Sequence, residues 1–161
     1  MKKSLKKQLD RFSVFQMMCL SCTHYLEQLA EKEPEREEEY EKMKEETRVL
    51  CQIYGIRISK KFHDMYGGPT YDEKIYRINQ QEISNLKVER STFEEFVNEY
   101  NILTNIFRCS IRFLDSLDFE TPKEEKVYLE TFKEYQKTYR KYREKIEKKT
   151  YKFFGKVPLG N

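Results

Sequence analysis

The chain has 161 residues, 37% of them charged and 38% apolar, and a net charge of only +3. That length suits one domain around one sizeable core, and no run of eighteen apolar residues offers a membrane span. The apolar residues recur with helical spacing, which excludes wholesale disorder, and the basic first residues lead into polar Gln8-Leu9-Asp10-Arg11, where an export signal would be apolar.

A first helix is predicted from about Leu5 to Ala30, with Leu5, Leu9, Phe12, Phe15, Cys19, Cys22, Leu26 and Leu29 on one stripe. Pro34 suits the first turn of a second helix that carries Tyr40, Met43, Thr47, Leu50, Tyr54 and Ile58 inward and reaches about Phe62. Gly55 within it costs roughly 1 kcal/mol against Ala and marks a bend or a close helix contact. Gly67-Gly68-Pro69 is the clearest break. Thr70 with Glu73, Ser91 with Glu94 and Thr121 with Glu124 form three capping-box patterns. They open a short helix to about Leu86, a third long one to about Leu117, and a final one to Phe154. The Ser91 helix is apolar over nearly half its circumference, from Phe93 and Phe96 through Tyr100, Leu103, Ile106 and Phe107 to Leu114, and so belongs at the centre.

The final helix runs from Thr121 to Phe154 with a stripe of Tyr128, Phe132, Tyr135, Tyr139, Tyr142, Ile146 and Phe153, broken near Lys149. Rings with polar tips suit a half-wet contact face. Two seven-residue repeats, Leu5-Phe12-Cys19-Leu26 and Phe93-Tyr100-Phe107-Leu114, favour the near-parallel packing of bundles and coiled coils. The expected fold is all-α: one domain over residues 1–154, a bundle of four to five helices with a long C-terminal helix, and a flexible tail over 155–161.

Charge is segregated. Ten glutamates stand against four basic residues from Glu27 to Glu46, whereas twelve basic residues stand against six glutamates from Lys123 onward. The first eleven residues add five more cations against Asp10. Such segregation creates local fields of several kT despite a small total.

Catalytic and metal signatures are sparse. Cys19, Cys22 and His24 are three zinc-type ligands close in sequence, but they lack a second closely spaced pair, and both cysteines fall on the apolar stripe. Four cysteines without a disulfide framework imply reduced thiols and a cytoplasmic setting. Neither histidine has a carboxylate three residues before it, and no phosphate loop or nucleophile elbow occurs. Arg57-Ile58-Ser59-Lys60-Lys61-Phe62-His63 resembles the Arg-to-His spacing of HEPN-type ribonucleases, a helical and usually dimeric class. The resemblance covers this stretch alone, and Ile58 departs from the polar residue common after the Arg. It implies phosphate contact by Arg57 and metal-independent acid–base work by His63.

The reading is therefore a non-enzymatic, cofactor-free interaction protein in an accessory or inhibitory role. Its composition, rich in Lys, Tyr, Ile and Asn, fits an AT-rich bacterial or phage genome. The expected contact residues are Tyr135, Lys137, Tyr139, Arg140, Lys141, Tyr142, Arg143, Lys145, Lys148 and Lys149. A protein partner or self-association is favoured, because both charged ends must be accommodated. Nucleic acid, bound over residues 137–152, is the alternative. No membrane or small-molecule substrate is evident.

Overall fold

In the computed structural model, which describes residues 2–67 and 92–158, four long helices form an all-α bundle. They are α1 (Lys3–Lys32), α2 (Glu37–Tyr66), α3 (Phe93–Asp115) and α4 (Pro122–Phe154), with a 3-10 turn at Pro34–Arg36 between the first two. The helix expected from 70 to 86 lies outside the described residues. No described helix is long and apolar enough to cross a membrane.

The ends follow local chemistry. Glu37, Glu38 and Glu39 place negative charge on the first turn of α2, where the helix dipole favours it. That helix ends at Gly67, whose N–H donates to the His63 carbonyl at 2.8 Å. The cap of α3 is Thr92 and not Ser91: its hydroxyl accepts the Glu95 N–H at 3.2 Å. Thr92 and Glu95 repeat the capping-box spacing one residue later, and the later pair starts the helix. At α4 the box holds as expected, with Thr121 Oγ1 accepting the Glu124 N–H at 3.2 Å. The Glu124 carboxylate turns back to the Glu120 N–H at 2.8 Å. Gly155 closes α4 in the left-handed conformation (φ 68°), which only glycine adopts freely.

α1 and α3 pack against each other and against both remaining helices, while the Cα traces of α2 and α4 nowhere approach within 8 Å. The cross-section is thus a rhombus with α1 and α3 on its short diagonal. Phe15, Met18, Leu26, Phe96, Leu103 and Ile106 are wholly enclosed there. The α2 stripe lies as its spacing predicts, with Tyr40, Thr47, Leu50, Tyr54 and Ile58 buried. α3 also buries two polar residues, Glu99 and Ser110.

The tyrosine stripe of α4 is core at Tyr135, Tyr142 and Ile146 and half-buried at Tyr128, Phe132 and Tyr139. Tyr135 and Tyr142 are buried, and Tyr139 stacks on Phe107 at 4.3 Å between ring centroids. Three of the polar tips find partners: Tyr135 Oη meets Ser21 Oγ at 2.9 Å in the core, Tyr139 Oη meets Thr104 Oγ1 at 3.1 Å, and Tyr128 donates to Asp115 at the surface. Thr150, fully buried, fills the gap seen near Lys149, its hydroxyl satisfied by the Ile146 carbonyl. The stripe then ends on Phe154, which packs on Phe93 and Phe96, while Phe153 stays 65% exposed. The tail expected to fray from Gly155 folds back as far as Pro158, which is buried, and Lys156 Nζ sits 4.4 Å from the centre of the Phe93 ring.

Gly55 marks a close contact between α1 and α2. A Cβ added there would stand 2.9 Å from Phe12 Cζ. Gly55→Leu is accordingly expected to destabilise the protein by about 1–3 kcal/mol through overpacking, as measured by urea unfolding.

Candidate functional site

The short α1–α2 and α3–α4 connections make those pairs antiparallel, so the start of α1, the end of α2, the start of α3 and the end of α4 meet at one end of the bundle. There they enclose a cleft of about 290 Å³. Its floor is aromatic and aliphatic: the rings of Tyr54 and Tyr142 stack at 4.7 Å, Phe15 packs beneath both at 5.0 and 5.1 Å, and Ile58 and Ile146 complete the lining. Its walls carry six cations: Arg11 from α1, Arg57, Lys60 and Lys61 from α2, and Lys145 and Lys149 from α4. Among the described residues, the carboxylates that face them are Asp64 and Glu99.

Glu99 is already engaged. It is 7% exposed, accepts the Tyr54 hydroxyl at 2.8 Å and lies 3.5 Å from Arg57 Nη1. A buried carboxylate held by a hydroxyl and a guanidinium fixes Arg57 against the rim. Gln8 reaches across from α1 to accept Lys61 Nζ at 3.0 Å.

The crowding of positive charge leaves a mark on Lys145. Although the residue keeps an exposed surface, burial of its ammonium together with repulsion from Arg11, Lys61 and Lys149 lowers its pKa to about 8. Its ammonium stands 5.9 Å from the Tyr142 ring centre, a cation–π approach that offsets part of this cost. Tyr142 is unusual among the stripe tyrosines. Its hydroxyl is enclosed without a hydrogen-bond partner, and burial pushes its pKa up.

The structure divides the expected contact residues into three groups. Lys137, Arg140, Lys141 and Lys148 are exposed on the outward side of α4. Lys145 and Lys149 turn toward the cleft, and Arg143 lies half-buried 3.5 Å from Glu147 and over the Tyr139 ring. Tyr135 and Tyr142 belong to the core and Tyr139 is half-buried against it, so they are not a fully exposed contact surface. An exposed aromatic does share the outward face: Tyr151, three residues beyond Lys148 and 63% exposed.

Arg57 and His63 are not brought together. Six positions apart on one continuous helix, they are rotated by roughly 240°; Arg57 lines the cleft, and His63 is exposed outside it. Cys19, Cys22 and His24 are likewise separated. The two thiols lie in the core, held protonated by hydrogen bonds to Cys51 and Cys109 respectively and by burial. His24 is on the surface, stacked on Phe113. Among the described residues no three His, Cys, Asp or Glu side chains converge as a metal site.

Sequence reasoning missed Arg11, Lys60, Lys61 and Glu99 as site residues. Nothing in their local spacing marks them, because three helices supply them to one point. The block of glutamates from Glu27 to Glu46 spans the end of α1 and the start of α2, at the opposite end of the bundle. Its ion pairs, Arg36 with Glu33 and Glu39, Lys44 with Glu41 and Arg48 with Glu45, are exposed and individually weak. Comparison with family models, curated proteins and solved structures finds no match in any of the three.

Two substitutions separate the stripe tyrosines. Tyr135→Phe should cost about 1 kcal/mol by orphaning Ser21, whereas Tyr142→Phe should be neutral or stabilising because it removes an unpaired buried hydroxyl; chemical denaturation reads both. Lys145 makes a pH prediction with a defined sign. Its folded pKa of about 8 lies below the usual 10.5, so between those values the unfolded chain binds the proton more readily. The penalty of this lysine is therefore full below about pH 8 and fades as pH rises toward 10.5. Lys145→Met should raise the melting temperature at pH 7, and that gain should shrink steadily across the alkaline window.

Proposed function

We propose that this chain is a non-enzymatic binding protein that engages another protein, in an accessory or inhibitory role, through the outward face of α4. The observation that carries the reading is the composition of that face. Lys137, Arg140, Lys141, Lys148 and Tyr151 follow one another along the solvent side of a helix whose other side is core. Cations grouped with an exposed tyrosine are the material of protein interfaces, in which Tyr and Arg dominate the energy. The charge layout also supports a protein over a nucleic acid. A polyanion would be attracted at one end and repelled by the glutamate-rich other end, whereas a partner of mixed charge can complement both.

The test is a tagged wild-type chain beside a variant with Lys137, Arg140, Lys141 and Lys148 all changed to Glu. Partner capture should be lost, while the circular dichroism and melting temperature should hold, since exposed substitutions typically shift stability by under about 0.5 kcal/mol each. Tyr151→Ala should weaken the same complex through a faster off-rate, and added salt should slow mainly the on-rate. Capture that is instead lost linearly in log salt, whatever the sequence offered, would make nucleic acid the partner. Unchanged capture by the quadruple variant would reduce this face to a solvated surface.

A further inference from the structure

Beyond docking by the outward face of α4, the geometry points to the cleft at the basic end of the bundle as a binding site for a ligand bearing a phosphate monoester. Its size comes first. About 290 Å³ is at the lower limit of ligand pockets, room for a small group and too little for a folded segment or a duplex.

Its charge follows. Its described lining gathers Arg11, Lys61 and Lys145 from three helices, with Lys149 beside them, against two carboxylates: Asp64, and Glu99, which is engaged by Tyr54 and Arg57. Like charges gathered in one cleft repel, and Lys145, depressed first by burial, is depressed further by Arg11, Lys61 and Lys149. A fold keeps such an arrangement at a cost in stability, which is the pattern expected of a binding site and not of a structural element. A phosphate monoester answers it with about −1.5 to −2 charges at pH 7 and three acceptor oxygens. The planar guanidinium of Arg11 can take two of those oxygens side by side, and the lysines act as point charges around them.

The floor completes the site. The stacked rings of Tyr54 and Tyr142, with Ile146, offer an apolar surface to the organic part of the ligand and lower the dielectric near the charges. A phosphodiester strand carries one charge per phosphate and requires an open track with bases laid on exposed rings. In the cleft the rings of Tyr54 and Tyr142 are buried and are not laid out along an open track.

Isothermal titration of the full chain with inorganic phosphate and with phenyl phosphate tests this, alongside melting in phosphate and in chloride at matched ionic strength. Saturable 1:1 binding is expected, with a melting increase that chloride does not reproduce. Arg11→Met and Lys145→Met should each weaken binding at least tenfold. Lys145→Met should do so while raising the melting temperature of the free protein, so loss of binding cannot be ascribed to unfolding. In the wild type, side-chain NMR should show the Lys145 titration move upward when phosphate binds. A phosphoserine peptide distinguishes the source: tighter binding than phenyl phosphate places the monoester on a protein, looser binding places it on a small molecule. The variant with Lys137, Arg140, Lys141 and Lys148 changed to Glu should retain phosphate binding, which separates failure of this site from failure of the docking face. Equal stabilisation by chloride, or unchanged affinity in the Arg11→Met, Lys145→Met double variant, would overturn the proposal.

Discussion

The packing of Phe15 against Tyr54 and Tyr142 is the contact on which the basic end of the bundle depends. Three rings from α1, α2 and α4 meet within 5.0, 5.1 and 4.7 Å of one another. α2 and α4 occupy the far corners of the rhombus and share no backbone approach, so these rings bridge the long diagonal. Aromatic pairs contribute beyond the area they bury, and each of these side chains is nearly or wholly enclosed. Remove one ring, and the ends of α2 and α4 lose the contact that holds their cations around a common space. The same triad underlies the cleft, whose floor is built of interlocked side chains.

That floor also sets the energetics above it. Cations placed over an apolar surface are less hydrated and less screened than cations in open water, so Lys145 is depressed first by its burial and then by Arg11, Lys61 and Lys149. The acidic end offers the contrast. Its glutamates are mostly exposed, and Glu33, Glu39, Glu41 and Glu45 pair with Arg36, Lys44 and Arg48 at three-residue spacing, which leaves the block net negative. One end of the protein carries net negative charge on its surface; the other gathers cations around a cleft.

Much of the fold was legible because helical periodicity is a local property. The stripes of α1 and α2 lie inward almost residue for residue, and the Thr121–Glu124 box starts α4 as expected. The errors share a cause. Tyr135, Tyr139 and Tyr142 read as a wet face because their hydroxyls argued against burial, and the sequence does not reveal that Ser21 and Thr104, more than thirty positions away, would satisfy two of them. Thr138 and Thr150 were overlooked as core for the same reason, although each occupies a stripe position. The cleft was invisible altogether: Arg11, Lys61 and Lys145 are unremarkable on their own helices and acquire meaning when three helix ends converge. The Arg57–His63 alternative rested on spacing along the chain, and helical rotation separates those two residues in space.

The separation of charge along the bundle has a consequence before any contact is made. A rod with net positive charge at one end and net negative charge at the other experiences a torque in the field of an approaching charged surface. It is turned as it diffuses, and collisions become end-selective well before short-range complementarity operates. The net charge of +3 conceals this, since a monopole of that size would attract only weakly and without orientation. Within about a Debye length, roughly 8 Å at physiological salt, the rotation favours presenting α4 and the cleft together to an acidic surface. Angular bias in the encounter, rather than affinity at the interface, is then what the glutamates at the far end contribute.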